Sequence, residues 1–245
     1  TFYFNQENLT LAPETEMEPT DENLLLPAFR YVTSEFLKAI GASKVVIGVS
    51  GGIDSAVNAA LYRSILPAEN ILLVNTPTRY NSELTKGLAA ELAKNLGCQL
   101  LTVPIGDFID ETADALEGLP LPDDTVHLTG FMKENMQARD RSSRILAALS
   151  AAFGGIFTCN ANKTETTVGY GTLYGDLAGA FAATADLWKY QIYDLGRKLN
   201  AWYGRAVIPE GIFTVMPSAE LSENQDVTQG KGDPLIYEYH DYLFR

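Results

Sequence analysis

Cysteine, histidine and positive charge are all scarce in this chain. Its 245 residues include two cysteines, Cys98 and Cys159, and two histidines, His127 and His240. Two thiols are too few for a disulfide framework and suit a reducing compartment, so a cytoplasmic location is expected. With two histidines, no zinc site can be built on several imidazoles, and Ser-His-Asp hydrolysis would hang on one of them. His127 stands in a proline- and aspartate-rich loop and His240 in an aromatic tail. Neither has a partner at motif spacing, and both read as ordinary surface or packing residues. Lysine and arginine number 18 against 31 acidic residues, a net charge of −13. Nucleic acid and anionic membranes recruit clustered basic surface, so neither is expected as a partner. No apolar run is long enough to cross a bilayer, and no signal-peptide pattern opens the sequence. An anionic ligand must be met locally, by loops and a few cations.

What the chain does have is 46% hydrophobic residues, enough for a sizeable core. Residues 1–23 read as an acidic linker: Glu14, Glu16, Glu18, Asp21 and Glu22 make a self-repelling, proline-punctuated stretch. From Leu24 to Ile40, apolar residues recur at helical spacing. Strand and helix patterns then alternate. Strands are expected at Val45–Val49, Ile71–Asn75, Gln99–Pro104 and Gly155–Cys159. Helices are expected at Ile53–Leu66, Ser82–Leu96, Gly130–Phe153 and Leu187–Leu199. Gly118–His127 reads as an exposed loop and Asn160–Asp176 as a long polar one. The rhythm predicts an α/β fold, an open parallel sheet with helices on both faces and ligands beyond the strands' carboxyl ends.

One such end carries Ser50-Gly51-Gly52-Ile53-Asp54-Ser55, directly after the strand residues Gly48 and Val49. Glycines let backbone amides approach an anion closely, and the helix start that follows adds unpaired amides and a favourable dipole. Ser50 and Ser55 add hydroxyls, and Asp54 can hold a divalent cation against phosphate oxygens. The loop is not a Walker A motif, because no lysine lies between Lys44 and Lys86, nor is it Gly-x-Gly-x-x-Gly. It resembles the pyrophosphate loop of the N-type ATP pyrophosphatases, which split ATP into AMP and pyrophosphate.

In the second half, Asn135 and Arg139 lie four apart on a predicted helix and share a face, while Arg141 and Arg144 are expected to point elsewhere and form salt bridges. The Asn160–Asp176 loop is longer than connectors in compact domains usually are, about 12–15 residues at most, and its two tyrosines argue against disorder. Five segments together resemble NAD+ synthetase in order and spacing: Ser50–Ser55, Asn135–Arg141, Asn162-Lys163-Thr164-Glu165, Gly169–Asp176 and Pro217-Ser218-Ala219-Glu220-Leu221. The runs Gly230–Pro234 and Tyr239–Arg245 look most like the synthetase part of glutamine-dependent members. The resemblance covers nearly the whole chain from about residue 25.

That resemblance implies amidation of deamido-NAD by ammonia at the expense of ATP, through an adenylated carboxylate, with magnesium as cofactor. It implies that Gly48, Val49, Ser50, Gly51, Gly52, Ile53, Asp54 and Ser55 bind the ATP phosphates, with Asp54 and Glu165 on magnesium. Lys189 and Ser218 would meet ATP, as would Asn160, which stands where relatives carry threonine or serine. Asn135, Arg139, Glu165, Tyr170, Tyr174 and Asp176 would line the deamido-NAD site. Asp54, Glu165 and Lys189 would carry the catalysis. Leu173 departs from the ammonia-dependent form, which often has lysine there. The resemblance further implies a homo-oligomer, an upstream amidase domain that makes ammonia from glutamine, and a chain truncated after residue 245. Neither cysteine sits in an amidase motif. Two other readings remain: another AMP-forming enzyme with this loop, such as GMP synthetase, asparagine synthetase or a tRNA thiolase, and a nucleotide-binding module without turnover.

Overall fold

The computed structural model describes residues 24–244, so the acidic linker expected over residues 1–23 lies outside the described residues. Four parallel strands, β1 (Val45–Gly48), β2 (Ile71–Asn75), β3 (Gln99–Thr102) and β4 (Ile156–Phe157), form a sheet in the order β3-β2-β1-β4. Val45 pairs with Ile71 on one side and Ile156 on the other, and Leu72 pairs with Gln99.

The two-residue period of a strand divides β1 and β2 between two cores. Val45, Ile47, Ile71 and Leu73 face α1 (Leu25–Ala39), α2 (Ile53–Arg63), α3 (Glu83–Leu96) and α8 (Lys189–Trp202). Val46, Leu72 and Val74 face Leu146 and its helix on the opposite side. Both faces are covered, as the continuous apolar runs require. α2 lies beneath α8 and buries every residue from Ile53 to Tyr62 except Asp54. α3 runs as its sequence predicts, from the Ser82 cap to the left-handed Gly97.

The remaining helices are α4 (Gly106–Leu116), α5 (Gly130–Arg139), α6 (Ala147–Phe153), α7 (Lys163–Val168), α9 (Glu210–Thr214) and α10 (Tyr237–Phe244). Several differ from expectation. The predicted helix over 130–153 is divided by a π turn at Asp140–Leu146, which changes the phase of the side chains after it. The predicted loop over 160–176 contains α7, because Asn162 and Glu165 form a capping box inside an otherwise polar run. The strand expected at 155–159 shortens to Ile156–Phe157, after which Cys159 N donates to Phe181 O at 3.1 Å.

Chain order runs outward from β1 to β2 to β3, then returns to place β4 on the other side of β1. The connections leaving β1 and β4 therefore diverge. In open parallel sheets a crevice forms at this point, beyond the carboxyl ends of the strands.

Candidate active site

The end of β1 is pinned from both neighbours. Asn75 Nδ2 donates to Val49 O at 2.6 Å, and Asn160 Nδ2 donates to Gly48 O at 2.9 Å. The chain then turns through Ser50-Gly51-Gly52 into α2. Gly51 has φ +91°, and a Cβ there would lie 2.2 Å from Thr85 O, so only glycine allows this loop to lie against α3. Ser55 Oγ accepts from Ser50 N at 3.3 Å and donates to Gly52 O at 3.1 Å, while Ser50 Oγ accepts from Gly52 N at 3.2 Å. The serine hydroxyls thus brace the loop. The amides of Ile53, Asp54 and Ser55 open α2 and have no acceptor within the helix, which suits them to an anion.

Asp54, Glu165 and Lys189 form one unit beside this turn. Lys189 Nζ lies 2.6 Å from Asp54 Oδ2 and 3.2 Å from Glu165 Oε1, with Lys189 only 2% exposed. A lysine at the first position of a helix opposes the dipole. Burial works further against its ammonium, but Asp54 and Glu165 outweigh it and raise its pKa. Burial and the Asp54 charge lift Glu165 to about 7, although Lys189 opposes the shift. Asn162, fully buried, connects the two acids: its Oδ1 accepts from Glu165 N at 3.0 Å and its Nδ2 donates to Asp54 Oδ1 at 2.8 Å.

Among the described residues, no group of three or more histidines, cysteines and acids is placed to hold a metal. The paired carboxylates, already sharing a cation, suit magnesium that takes its other ligands from phosphate and water. They fit an ion delivered with a nucleotide rather than a cage made by protein alone.

Two adjoining cavities, the first of about 200 Å³ and the third of about 150 Å³, meet at this unit, and the second, of about 190 Å³, joins them at Asp176. Gly48, Val49, Ser50, Asp54, Ser55, Asn160 and Glu165 line the first. Gly52, Ile53, Lys189 and Ser218 line the third, together with Ser50, Asp54 and Glu165. Asn135 and Tyr170 line the second, and Asp176 borders all three. Three expected residues line none of these cavities, and Gly51 is one of them, buried against α3 where it shapes the turn. Arg139 is exposed and donates through Nε to Leu173 O at 3.2 Å; Tyr174 is 76% exposed with φ 61° and accepts from Ser143 Oγ. They sit side by side outside the cavities.

Arg144 pairs with Asp140 as expected, but Arg141 does not point away. The π turn carries it inward, where it borders the first and second cavities and donates to Ala219 O and Asn81 Oδ1, both at 3.3 Å. Its buried Nε has no acceptor among the described residues. Burial lowers its pKa to about 10 against the pull of Glu220, Asp176 and Asp140, which leaves it charged at neutral pH. Helical periodicity could not reveal it. Asn162 could have been found, since Asn-x-x-Glu has capping-box spacing. Asp233 lies in the Gly230–Pro234 run, where the resemblance gave it no role, yet it accepts from Tyr170 OH at 2.9 Å and lines the third cavity. Lys189, which composition alone would make a surface lysine, is buried.

The segment after Pro217 is fixed by Glu220, whose buried carboxylate accepts from Thr85 Oγ1 at 2.7 Å and from Ser82 N and Asn81 Nδ2, both at 3.1 Å. Both cysteines are free and buried; burial pushes the Cys98 thiol up to about 11 and raises Cys159 as well. His127 is an exposed partner of Glu117, and His240 contacts Ile236 O and packs its ring against Tyr239 and Phe244. No helix among the described residues is long and apolar enough to cross a membrane.

A parallel β3-β2-β1-β4 sheet with a glycine turn and a carboxylate–ammonium unit at its switch point places the chain in the adenine nucleotide alpha hydrolase-like class of α/β proteins. Residues 28–245 match the family model for NAD synthase, and the chain belongs to that family. It is similar to the glutamine-dependent NAD(+) synthetase of Thermotoga maritima, 38% identical over 230 residues, which are 93% of this chain and 38% of that protein. The chain thus spans well under half the length of the curated relatives it matches. Among solved structures it is similar to an NMN synthetase from Francisella tularensis, with TM-score 0.75 and 26% identity over 91% of this chain and 85% of that one. It is also similar to a glutamine-dependent NAD+ synthetase from Acinetobacter baumannii in complex with ADP, with TM-score 0.70 and 26% identity over 99% of this chain and 48% of that one.

Proposed function

We propose that this chain is the synthetase part of a glutamine-dependent NAD+ synthetase, a ligase that amidates deamido-NAD with ammonia and splits ATP to AMP and pyrophosphate. The observation that carries the reading is the Asp54–Lys189–Glu165 unit lying against the Ser50–Ser55 turn at the junction of the first and third cavities. A nicotinate carboxylate resists ammonia because oxide would have to leave. Its oxygen therefore attacks the α-phosphorus of ATP, and pyrophosphate departs. Ammonia then attacks the acyl carbon, AMP leaves with the C–O electrons, and the nitrogen loses a proton.

The residues divide this work. The opening amides of α2 hold the departing diphosphate. Asp54 and Glu165 would hold magnesium, which when bound neutralises charge developing between the phosphates. Lys189 supplies a buried cation to the same oxygens, and Asn160 and Ser218 contact ATP from the first and third cavities, respectively. Asn135, Tyr170 and Asp176 line the deamido-NAD side, and Arg141 stands between the two substrates as an underused cation. Arg139 and Tyr174, with exposed Phe131 and Leu173 beside them, fit a homodimer in which a second copy completes that side. An upstream amidase domain would deliver ammonia in the full-length protein, since neither buried thiol here can be a nucleophile.

Mass spectrometry of products tests the reading: ATP, magnesium, ammonium and deamido-NAD are expected to yield NAD, AMP and pyrophosphate in equal amounts. The corresponding mononucleotide acid belongs in the same series, given the name of the Francisella protein. Pyrophosphate release that ignores deamido-NAD would overturn the assignment, and tight ATP binding with no AMP formed under any combination would favour a module without turnover.

A further inference from the structure

α10 presents Tyr237 and Asp241, four residues apart and so on one face, to the two elements that carry Glu165 and Lys189. Asp241 is only 3% exposed. Its carboxylate accepts from Thr164 Oγ1 and, at 3.0 Å, from Tyr190 N. Thr164 immediately precedes Glu165 in α7, and Tyr190 immediately follows Lys189 in α8. Thr164 Oγ1 itself accepts from Lys189 N at 3.0 Å. One carboxylate and one hydroxyl therefore tie together the backbone that bears both groups. Tyr237 reaches the side chains: its hydroxyl lies 2.7 Å from Asp233 Oδ2 and 3.3 Å from Glu165 Oε1, and its ring centroid lies 4.4 Å from Lys189 Nζ.

We propose that α10 belongs to the reaction centre, with Tyr237 holding the Glu165 carboxylate and Lys189 ammonium directly and Asp241 acting as a positioning residue for both. This rests on the reading above and names a further part of that site. The physical need is clear from the elements involved. α7 has six residues, too few to be rigid through its own hydrogen bonds, and α8 opens on a cation against its dipole. The two helices are joined directly by the Lys189–Glu165 ion pair and by the bonds from Lys163 N to Leu187 O, at 2.8 Å just ahead of α8, and from Lys189 N to Thr164 Oγ1. Displacements of about 1 Å in such groups can cost about a hundredfold in rate. Asp241 adds to those direct links by bonding both helices next to the residues that carry the groups.

The test compares Tyr237→Phe, Asp241→Asn, Thr164→Val, Thr164→Ser and the pair Asp241→Asn with Thr164→Val in the whole chain. The exposed-face variant Tyr242→Ala serves as reference. Three quantities are measured: equilibrium binding of ATP with and without magnesium, followed by fluorescence of Trp188, which packs on Phe244 of α10; the magnesium dependence of pyrophosphate release; and thermal unfolding. Tyr237→Phe is expected to lower kcat about tenfold, with KM for deamido-NAD changed less than about twofold and the unfolding temperature kept. Asp241→Asn and Thr164→Val should each raise the magnesium concentration at half-saturation severalfold and leave metal-free ATP binding unchanged. The pair should be no worse than either alone, and Thr164→Ser should restore wild-type behaviour.

The proposal is overturned if Tyr237→Phe and Asp241→Asn keep wild-type kcat and magnesium dependence. It is equally overturned if activity falls only in step with the folded fraction. Should Asp241→Asn fail to fold, the near-isosteric Tyr237→Phe still decides. If the wild-type chain itself releases no pyrophosphate, the ligase reading falls, and magnesium-dependent ATP binding still tests α10 independently.

Discussion

At the scale of single residues, the site is defined by charges that are costly to bury. Lys189 lies between two acids, each of which would be uncompensated without it. Asp54→Asn removes one of them and the first metal ligand together. AMP formation measured by chromatography is expected to fall on the order of a thousandfold, with the chain still folded because Asn keeps one acceptor oxygen for Lys189 while giving up the bond from Asn162. Arg141 poses the opposite case. Its Nε is buried and unpaired and its two acceptors are neutral, so the guanidinium contributes little to stability. Arg141→Met is expected to keep or slightly raise the unfolding temperature while kcat/KM for deamido-NAD drops at least about tenfold. A parallel loss of stability and activity would show the arginine to be structural.

At the scale of elements, two short devices set the geometry. The first is the Gly51 turn, where a side chain would strike the backbone of α3. Gly51→Ala combines that clash with a left-handed φ, at a cost of about 1–3 kcal/mol or more, and should show both a lower unfolding temperature and lost ATP binding. The second is the Asn162 cap of α7. Asn162→Ala removes a cap and a bond to Asp54, so about 1–2 kcal/mol of stability should disappear in denaturant titration. Glu165 should lose its place at the same time, read as a weaker magnesium dependence. Sequence periodicity revealed neither α7 nor the π turn. A capped helix of six residues carries too little apolar pattern to register, and a π turn breaks the 3.6-residue period by which Arg139 and Arg141 were assigned to faces.

At the scale of the whole molecule, the buried unit gives stability a definite pH dependence. Glu165 has a folded pKa of about 7, above its ordinary 4.5, so the native state binds its proton more tightly than the unfolded chain does. Its stabilising contribution is complete below pH 4.5 and is lost as the pH rises through about 7, on the order of 3 kcal/mol across that interval. Lys189 is also raised, so its contribution holds throughout that range and is lost only above its ordinary 10.5. Metal-free protein is thus expected to lose stability between pH 4.5 and 7 at this site, and Glu165→Gln should flatten that part of the profile in urea titrations. ATP and magnesium, which need the carboxylate ionised, should release about half a proton on binding at about pH 7 and close to one at about pH 6, measurable by calorimetry in buffers of different ionisation heat. Glu165→Gln abolishes that release.

The order of strands and helices was legible in the sequence because local rules write it: β-branched runs, a Ser82 cap, Gly97 at a helix end, two glycines after a strand. The anion-binding turn was legible for the same reason, since its chemistry lies in six consecutive residues. Which distant groups meet was decided only by the tertiary structure. Burial turned Lys189 from an apparent surface residue into the cation shared by Asp54 and Glu165, and it drew Arg141 inward while leaving Arg139 and Tyr174 outside. Asp233, Tyr237 and Asp241 reach the site from the far end of the chain. No local pattern encodes such contacts, because side chains 139 residues apart, as Asn81 and Glu220 are, meet only after two hydrophobic faces have closed on the sheet.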